Sequence, residues 1–439
     1  MTAPLRRVLM VTPVWPPLGA IGVRRVVRLA RLLPQYGWQP VVLTDTPTGS
    51  GKAKPPLLDP TLVPPPVEVH HAPAWMPGAR ARRALVAALG GRLGHFAHQL
   101  TDGLLLPDHY PEWAWAAVRA ARKVAPVDAV WSTGTPFGAF VAAAAVAQAL
   151  RRPLVLDYRD PWSQAGNPSR NPLRWPPAVH AALEARLLAR AAGVAYVNAE
   201  MRDRNATAFG EGPHWAVIPN GFDLDELADV PPWPASDRPT LLHAGNCYRG
   251  RSFVPVLKAL AAGFGPGEKG LQVEAFGALD PEGAALATRL DLAGRFAVHG
   301  RVSAAEIGQR LKGATALLLI GDAVHSHALT GKIFDYIAAG RPILGVGPAG
   351  APVGQLIEAA GLGRWVDATD EAAVVAGLRA AEAGTLPFAP RPEVLHPYSA
   401  AAMAERTAHL LNDVVGVDTA AATPHAEPGR PAPPTTLEG

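Results

Sequence analysis

Thr330-Gly331-Lys332-Ile333-Phe334-Asp335-Tyr336-Ile337-Ala338-Ala339-Gly340-Arg341-Pro342-Ile343 reads as a loop, a short helix, a glycine stop and the start of a buried strand. Thr330 and Gly331 can leave backbone amides free at the helix start, where the positive end of the helix dipole favours phosphate. Lys332 falls in the first turn, where a cation is disfavoured unless an anion arrives. Asp335, four residues after Gly331, lies on the same face, and its two oxygens can accept hydrogen bonds from a ribose diol. The plain alternative is a capped surface helix with a solvated Lys and Asp.

Outward from this segment, short apolar runs alternate with helix-period stretches. Around it, strands are expected at 241–244, 273–276, 296–299, 316–320 and 343–346, with Ser303-Ala304-Ala305-Glu306 opening one intervening helix as a capping box. Before the proline-rich piece 230–239, the same alternation runs through 7–12, 41–43, 129–132, 154–157, 194–197 and 216–218. There Val23, Val26, Val27, Ala30 and Leu33 line one helix face. Strands alternating with helices imply parallel sheets covered on both faces, and the restart implies two of them. The division read from the chain is a first α/β domain over 1–222, a linker over 223–239 and a second domain over 240–395. A C-terminal helix over 396–416 follows, with a return to the first domain as one course open to it. The Pro-, Ala- and Thr-rich end, 417–439, is expected to be disordered. Ligands of such sheets bind at the carboxyl ends of the strands, so a shared cleft is the expected site.

Composition narrows the class. A chain of 439 residues exceeds one ordinary core, and 49% hydrophobic against 18% charged residues describes a globular protein. A formal charge of +4 suits anionic ligands without demanding them. The single Cys247 allows no intramolecular disulfide and no multi-cysteine metal site. Prolines at 13, 16 and 17 break the first apolar run, which leaves no signal-peptide pattern and an expectation of a cytoplasmic protein. The alanine-rich run 137–150 is shorter than the ~20 residues of a membrane span and reads as a packed helix.

The segment from Thr330 resembles the donor-binding helix of family 4 glycosyltransferases, and further pieces resemble the same family in order. Pro16-Pro17-Leu18-Gly19 with Gly22 and Arg24 resembles its first glycine-bearing loop, and Asp157-Tyr158-Arg159-Asp160-Pro161-Trp162 its fourth-strand motif. Ile218-Pro219-Asn220-Gly221-Phe222-Asp223 resembles the end of its first domain, and the stretch from His243 to Arg251 the opening of its second. The resemblance implies the GT-B fold, an α/β architecture of two Rossmann-like parallel-sheet domains facing a central cleft. It also implies a nucleotide-sugar donor on the second domain, an unidentified acceptor on the first, retention of anomeric configuration, and neither cofactor nor bound metal. On it, Thr330, Gly331, Lys332, Asp335 and Gly245 are donor-binding candidates, and Gly19, Gly22 and Arg24 form the acceptor-side loop. The family's paired glutamates correspond here to His327 and Asp335, so His327 joins the donor-binding candidates at the position of the first. His325 and His327 either serve the sugar hydroxyls or decorate a loop.

Arg249 and Arg251 follow a strand and a glycine turn, so with Lys332 they can neutralise charge on a departing diphosphate; solvated arginines are the alternative. Asp157 and Arg159 close a strand and either orient the acceptor or form an internal ion pair. Asp160 before Pro161 reads as a helix cap. Arg24, Arg25, Arg28 and Arg31 read as a basic, solvated outer side of the first helix. Residues 76–100 combine Arg80, Arg82, Arg83 and Arg92 with Leu85, Val86, Leu89, Leu93 and Phe96, the pattern of a basic amphipathic helix, either in peripheral membrane contact or packed on the sheet. A sugar-nucleotide epimerase and a non-catalytic nucleotide-sugar-binding subunit are the rival readings. Gly19 and Gly22 do not complete a dinucleotide fingerprint, and the dispersed basic residues match no nucleic-acid module.

Overall fold

The computed structural model describes residues 5–18, 21–45, 65–73, 88, 90, 106–108, 113–164, 175–247, 250–265, 270–292, 294–321 and 329–416. The chain divides into two units, Met1–Pro219 with Ala400–Gly439, and Asn220–Ser399.

Unit 1 is built on β1 (Arg6–Val11), α1 (Ile21–Leu32), β2 (Trp38–Thr44), β3 (Glu68–His71), α2 (Trp113–Ala121), β4 (Ala129–Gly134), α3 (Gly138–Leu150), β5 (Leu154–Tyr158), α4 (Pro177–Leu188), β6 (Gly193–Tyr196), α5 (Ala199–Phe209) and β7 (Trp215–Val217). The strands form one sheet in the order β3-β2-β1-β4-β5-β6-β7, with every pairing parallel. Every residue of β4 and β5 is buried, as expected of central strands covered on both faces. The alanine-rich run forms α3, whose small side chains pack onto the sheet.

Unit 2 contains α6 (Asp225–Ala228), β8 (Thr240–Ala244), α7 (Val254–Gly263), β9 (Gln272–Phe276), α8 (Pro281–Arg289), β10 (Phe296–Val298), α9 (Ala304–Gly313), β11 (Ala316–Ile320), α10 (Lys332–Ala339), β12 (Ile343–Gly347), α11 (Pro352–Ala359), β13 (Gly363–Asp367), α12 (Glu371–Glu382) and α13 (Pro392–Leu395). Its sheet runs β10-β9-β8-β11-β12-β13, again with parallel pairings. At the start of α9 the Ser303 hydroxyl accepts the Glu306 amide at 3.1 Å, but the Glu306 carboxylate lies on Arg310 Nη2 at 3.2 Å. The hydroxyl half of the expected capping box is therefore present, and the glutamate serves a side chain one turn on.

The chain arrives in unit 2 and leaves it at neighbouring points, because Phe222 donates to Tyr398 O at 2.9 Å and bridges Ser399. It then forms α14 (Ala400–Val414), whose Met403, Ala404, Ala408 and Leu411 share a core with Val26, Leu29 and Ala30 of α1.

One buried arginine ties these pieces of unit 1 together. Arg25 is 4% exposed, and its guanidinium donates to Asp157 Oδ2 at 2.8 Å and Oδ1 at 2.6 Å, to Ile218 O and Pro219 O at 3.0 Å, and lies 3.3 Å from Met403 Sδ. Its five N–H donors thus reach β5, the end of the first unit's main run and α14. This corrects the solvated reading for Arg25 and for Arg28, which is 7% exposed, whereas Arg31 is exposed as expected. It also corrects Asp157 as an acceptor-orienting group. That carboxylate is fully buried, forked by Arg25 and bonded to the Thr133 hydroxyl at 2.7 Å, so the internal ion pair is what the fold builds.

Removing one partner of such a pair leaves the other charge buried alone. Arg25→Met is expected to destabilise unit 1 by about 3–5 kcal/mol. The measurement is the urea midpoint of its unfolding transition, and a midpoint unchanged from wild type would remove the pair's structural role.

Candidate functional site

In each sheet the strand order reverses once, between β1 and β4 in unit 1 and between β8 and β11 in unit 2. Loops leaving the two strands at such a point run to opposite faces and open a crevice at the carboxyl ends. The β8–β11 ladder is registered at Ala316↔Leu241 and Leu317↔Leu242. Past it, side chains take over from backbone pairing.

His243, the next residue of β8, is fully buried and sits edge-on to Phe253 with ring centroids 5.1 Å apart. Its Nδ1 lies 3.0 Å from Leu318 O. A carbonyl can only accept, so Nδ1 carries the hydrogen and Nε2 presents a lone pair. Burial, then the charge of Lys332, pushes the imidazole pKa down to about 3, and the ring is neutral at physiological pH. Tyr336 of α10 braces the same carbonyl: its hydroxyl donates to Leu318 O at 3.0 Å and accepts the Ala244 amide at 2.9 Å.

Lys332, the first residue of α10, extends toward this ring. Its Nζ donates to His243 Nε2 at 3.1 Å and to Asn246 O at 3.4 Å. Among the described residues both hydrogen-bond partners are uncharged. Burial lowers the Lys332 pKa to about 8, and the charge of Arg251 adds to the fall. Gly245 is required by both backbone and packing: its φ is +113°, and a Cβ there would stand 2.5 Å from Lys332 Cε. Burial pushes the Cys247 thiol up to about 11, so the free cysteine beside the amine is uncharged.

The first turn of α10 is open. Ile333 N bonds Thr330 O at 3.1 Å and Phe334 N bonds Gly331 O at 3.3 Å, while a helix leaves its earliest amides without intrahelical partners. Gly331 is exposed with φ −56°, and a Cβ added there meets nothing within 4 Å. Neither strain nor crowding within the described residues requires glycine at this position. Asp335 follows one turn later, half-buried, while Ile333, Phe334, Tyr336 and Ile337 anchor the helix to the core.

The structure therefore brings Lys332 against Gly245, with Thr330 and Gly331 just before it, Asp335 one turn on, and Arg251 close enough to shift the pKa values of Lys332 and His243. Arg249, His325 and His327 lie outside the described residues, as do Gly19, the 76–100 helix apart from Ala88 and Gly90, and the 417–439 tail. Among the described residues no three His, Cys, Asp or Glu side chains converge as a metal site would require. Sequence reasoning passed over His243 and Tyr336 as functional groups. The available signal was a histidine closing an otherwise apolar buried strand, since a buried polar group needs a partner.

At the unit 1 crevice, Arg159 Nε donates to Thr133 Oγ1 at 2.8 Å and Nη2 to Thr135 O at 2.5 Å. A Cβ on Gly22 would fall 2.1 Å from Arg159 Nη1, so the glycine admits the guanidinium over the first turn of α1. Arg24 is half-buried on the same helix. Burial lowers the Arg159 pKa, with Asp160 and Asp157 opposing that shift. Asp160 accepts from the Thr135 hydroxyl at 2.5 Å, and no described helix starts at Pro161, which corrects its reading as a cap.

Residues 22–221 match the glycosyl transferase 4-like domain. No curated protein matches the chain in sequence. Among solved structures it is similar to sucrose-phosphate synthase from Thermosynechococcus elongatus, with TM-score 0.58, 14% identity, and 94% of this chain and 99% of that one covered. It is similar to Anabaena HepE in complex with UDP-glucose, with TM-score 0.54, 14% identity, and coverage of 93% and 99%. It is also similar to a UDP-forming trehalose-phosphate synthase from Burkholderia xenovorans in complex with glucose-6-phosphate, with TM-score 0.55, 12% identity, and coverage of 93% and 100%. At these identities the likeness is one of fold, and it extends over both sheets. Residues 22–221 thus match a glycosyl transferase 4-like domain, and the chain as a whole has the two-sheet GT-B fold of these neighbours.

Proposed function

We propose that the chain transfers a sugar from a nucleoside-diphosphate donor, held by unit 2, to a glycan, lipid-linked or small-molecule acceptor held by unit 1, with retention of configuration. The observation that carries this reading is the Lys332 amine, partly withdrawn from water beside an open helix start that has space above Gly331. A diphosphate there meets the first-turn amides, the helix dipole and the Lys332 charge, and Asp335 accepts the ribose hydroxyls. The HepE neighbour holds UDP-glucose, which makes a uridine donor the first to try.

In the reaction, Lys332 with Arg251 or Arg249 stabilises the charge that develops on the leaving diphosphate, in place of a metal ion. The acceptor hydroxyl attacks from the side the diphosphate leaves, and a phosphate oxygen takes its proton. Arg159, at the unit 1 crevice, orients the acceptor. A cytoplasmic location fits the free thiol of Cys247.

Membrane contact is proposed for unit 1. Among the described residues no helix is long and apolar enough to cross a bilayer. Trp115 on α2 is 66% exposed, however, and Arg119, Arg122 and Lys123 are exposed beyond it. An indole beside three cations suits an anionic lipid surface. The purified protein is expected to sediment with phosphatidylserine vesicles at low salt and to be released by salt or by Trp115→Ala. Equal recovery with neutral vesicles would remove this contact.

A thermal-shift panel of nucleotide sugars tests the donor site. The matching donor at about a hundredfold its Kd should add ~2.7 kcal/mol, a Tm rise of several degrees. Asp335→Ala should weaken donor binding at least tenfold, which an unchanged shift would contradict. Gly331→Ala should leave the free protein as stable or up to ~1 kcal/mol more so, while reducing the donor shift. Loss of donor without acceptor, giving an isomeric nucleotide sugar, would replace the transferase by an epimerase.

A further inference from the structure

The Lys332 amine is held in an unusual way for a buried cation. Its stem crosses Gly245 where a side chain would block it, and among the described residues its Nζ ends on His243 Nε2 and Asn246 O rather than on a carboxylate. The acceptor ring is itself locked: Phe253 meets its edge, Leu318 O takes its only hydrogen, and Tyr336 braces that carbonyl from α10. His243 therefore cannot turn its Nδ1–H toward the amine without leaving Leu318 O bonded by Tyr336 alone. The lone pair facing Lys332 is built into the fold.

We propose that His243 is the positioning residue of this site: it holds the Lys332 amine on a neutral acceptor at the crevice, so that an incoming diphosphate supplies the amine with a counter-charge that its described hydrogen-bond partners do not, and its binding takes up a proton. The proposal rests on the reading of unit 2 as a nucleoside-diphosphate site.

The groups facing Lys332 agree. From β8 and its loop come neutral His243, the uncharged Cys247 thiol and cationic Arg251; from its own helix come Tyr336, whose burial raises its pKa, and Asp335 one turn away. With the amine titrating at about 8 in the free protein, an alkaline fraction is uncharged. A diphosphate raises the pKa of an amine it pairs with. The sign follows from linkage: the bound state holds more protons than the free one between the two pKa values, so affinity falls as pH rises through about 8. The limiting slope is about tenfold per pH unit for one proton. Terminal phosphates, with a second pKa of about 6, are already ionised in this window.

The experiment is calorimetry of UDP binding, or of GDP if UDP does not bind, between about pH 7.5 and 9 in buffers of different ionisation enthalpy. Wild type should take up a growing fraction of one proton and lose affinity with pH. Lys332→Arg, which stays charged, should bind without uptake. His243→Gln, with a neutral acceptor at similar reach, should keep the uptake. His243→Leu should lose most of it and flatten the pH profile while UDP still binds. Should that variant not fold, His243→Glu gives the amine a permanent counter-charge and should likewise abolish uptake and weaken UDP more than tenfold. Binding by wild type without proton uptake, or a pH profile in His243→Leu or His243→Glu identical to wild type, overturns the proposal. Failure of every nucleoside diphosphate to bind overturns the functional reading instead.

Discussion

A parallel sheet whose strand order reverses has one pair of neighbours whose loops must part, and both halves of this chain depend on that constraint. Where β8 and β11 separate, the ladder ends at Leu242 and Leu317, and the backbone groups beyond it must find side-chain partners. His243 and Tyr336 both donate to Leu318 O, so the opening is braced by the residues that define its chemistry. At the β1–β4 opening, Thr133 performs a similar service, accepting from Arg159 and donating to Asp157. The crevices are thus products of sheet topology lined by the polar groups that topology leaves to be satisfied.

The two units bury cations by different means. Arg25 uses a bidentate carboxylate, three further acceptors and almost complete exclusion of water, and the result is a strut joining α1, β5 and α14. Such an arginine has no capacity left for a ligand. Among the described residues Lys332 is hydrogen-bonded by a lone pair and a carbonyl alone, and burial lowers its pKa. On the proposed reading, the contrast separates a structural cation from one poised for an anion more clearly than residue type or exposure does.

Much of the architecture was legible as pattern. The buried strands of both sheets are apolar runs, and most of their ends lie within a residue or two of the expected ones, although β2 begins at Trp38, three residues before the expected start. The strands passed over were β3 and β13, which form sheet edges with the sequences EVHH and GRWVD. An edge strand needs apolar residues on fewer positions, and its pairing is supplied by the neighbour, so periodicity carries little of it. Lys332 and Gly245 were legible as separate candidates, but their meeting depends on α10 arriving over the loop after β8. Likewise Arg25 looks like one of four arginines on a helix until Asp157, 132 residues away, is placed beneath it. Pattern locates elements and the ends of elements; which charge is inside is decided by long-range contacts that no local window contains.

A neutral partner for Lys332 also bears on how transfer could be accelerated. A carboxylate partner would hold the ammonium equally well before and after the sugar bond breaks, and the amine would then give little to a leaving group that gains charge. An imidazole lone pair holds the amine in place without satisfying its charge. In the proposed transfer, the attraction of Lys332 for phosphate oxygen grows as the bond to the sugar lengthens, in surroundings partly dry enough to strengthen it. On the proposed reaction, the desolvation that lowers the Lys332 pKa in the free protein and the stabilisation of the departing diphosphate are two consequences of the same arrangement, with His243 setting where the amine waits.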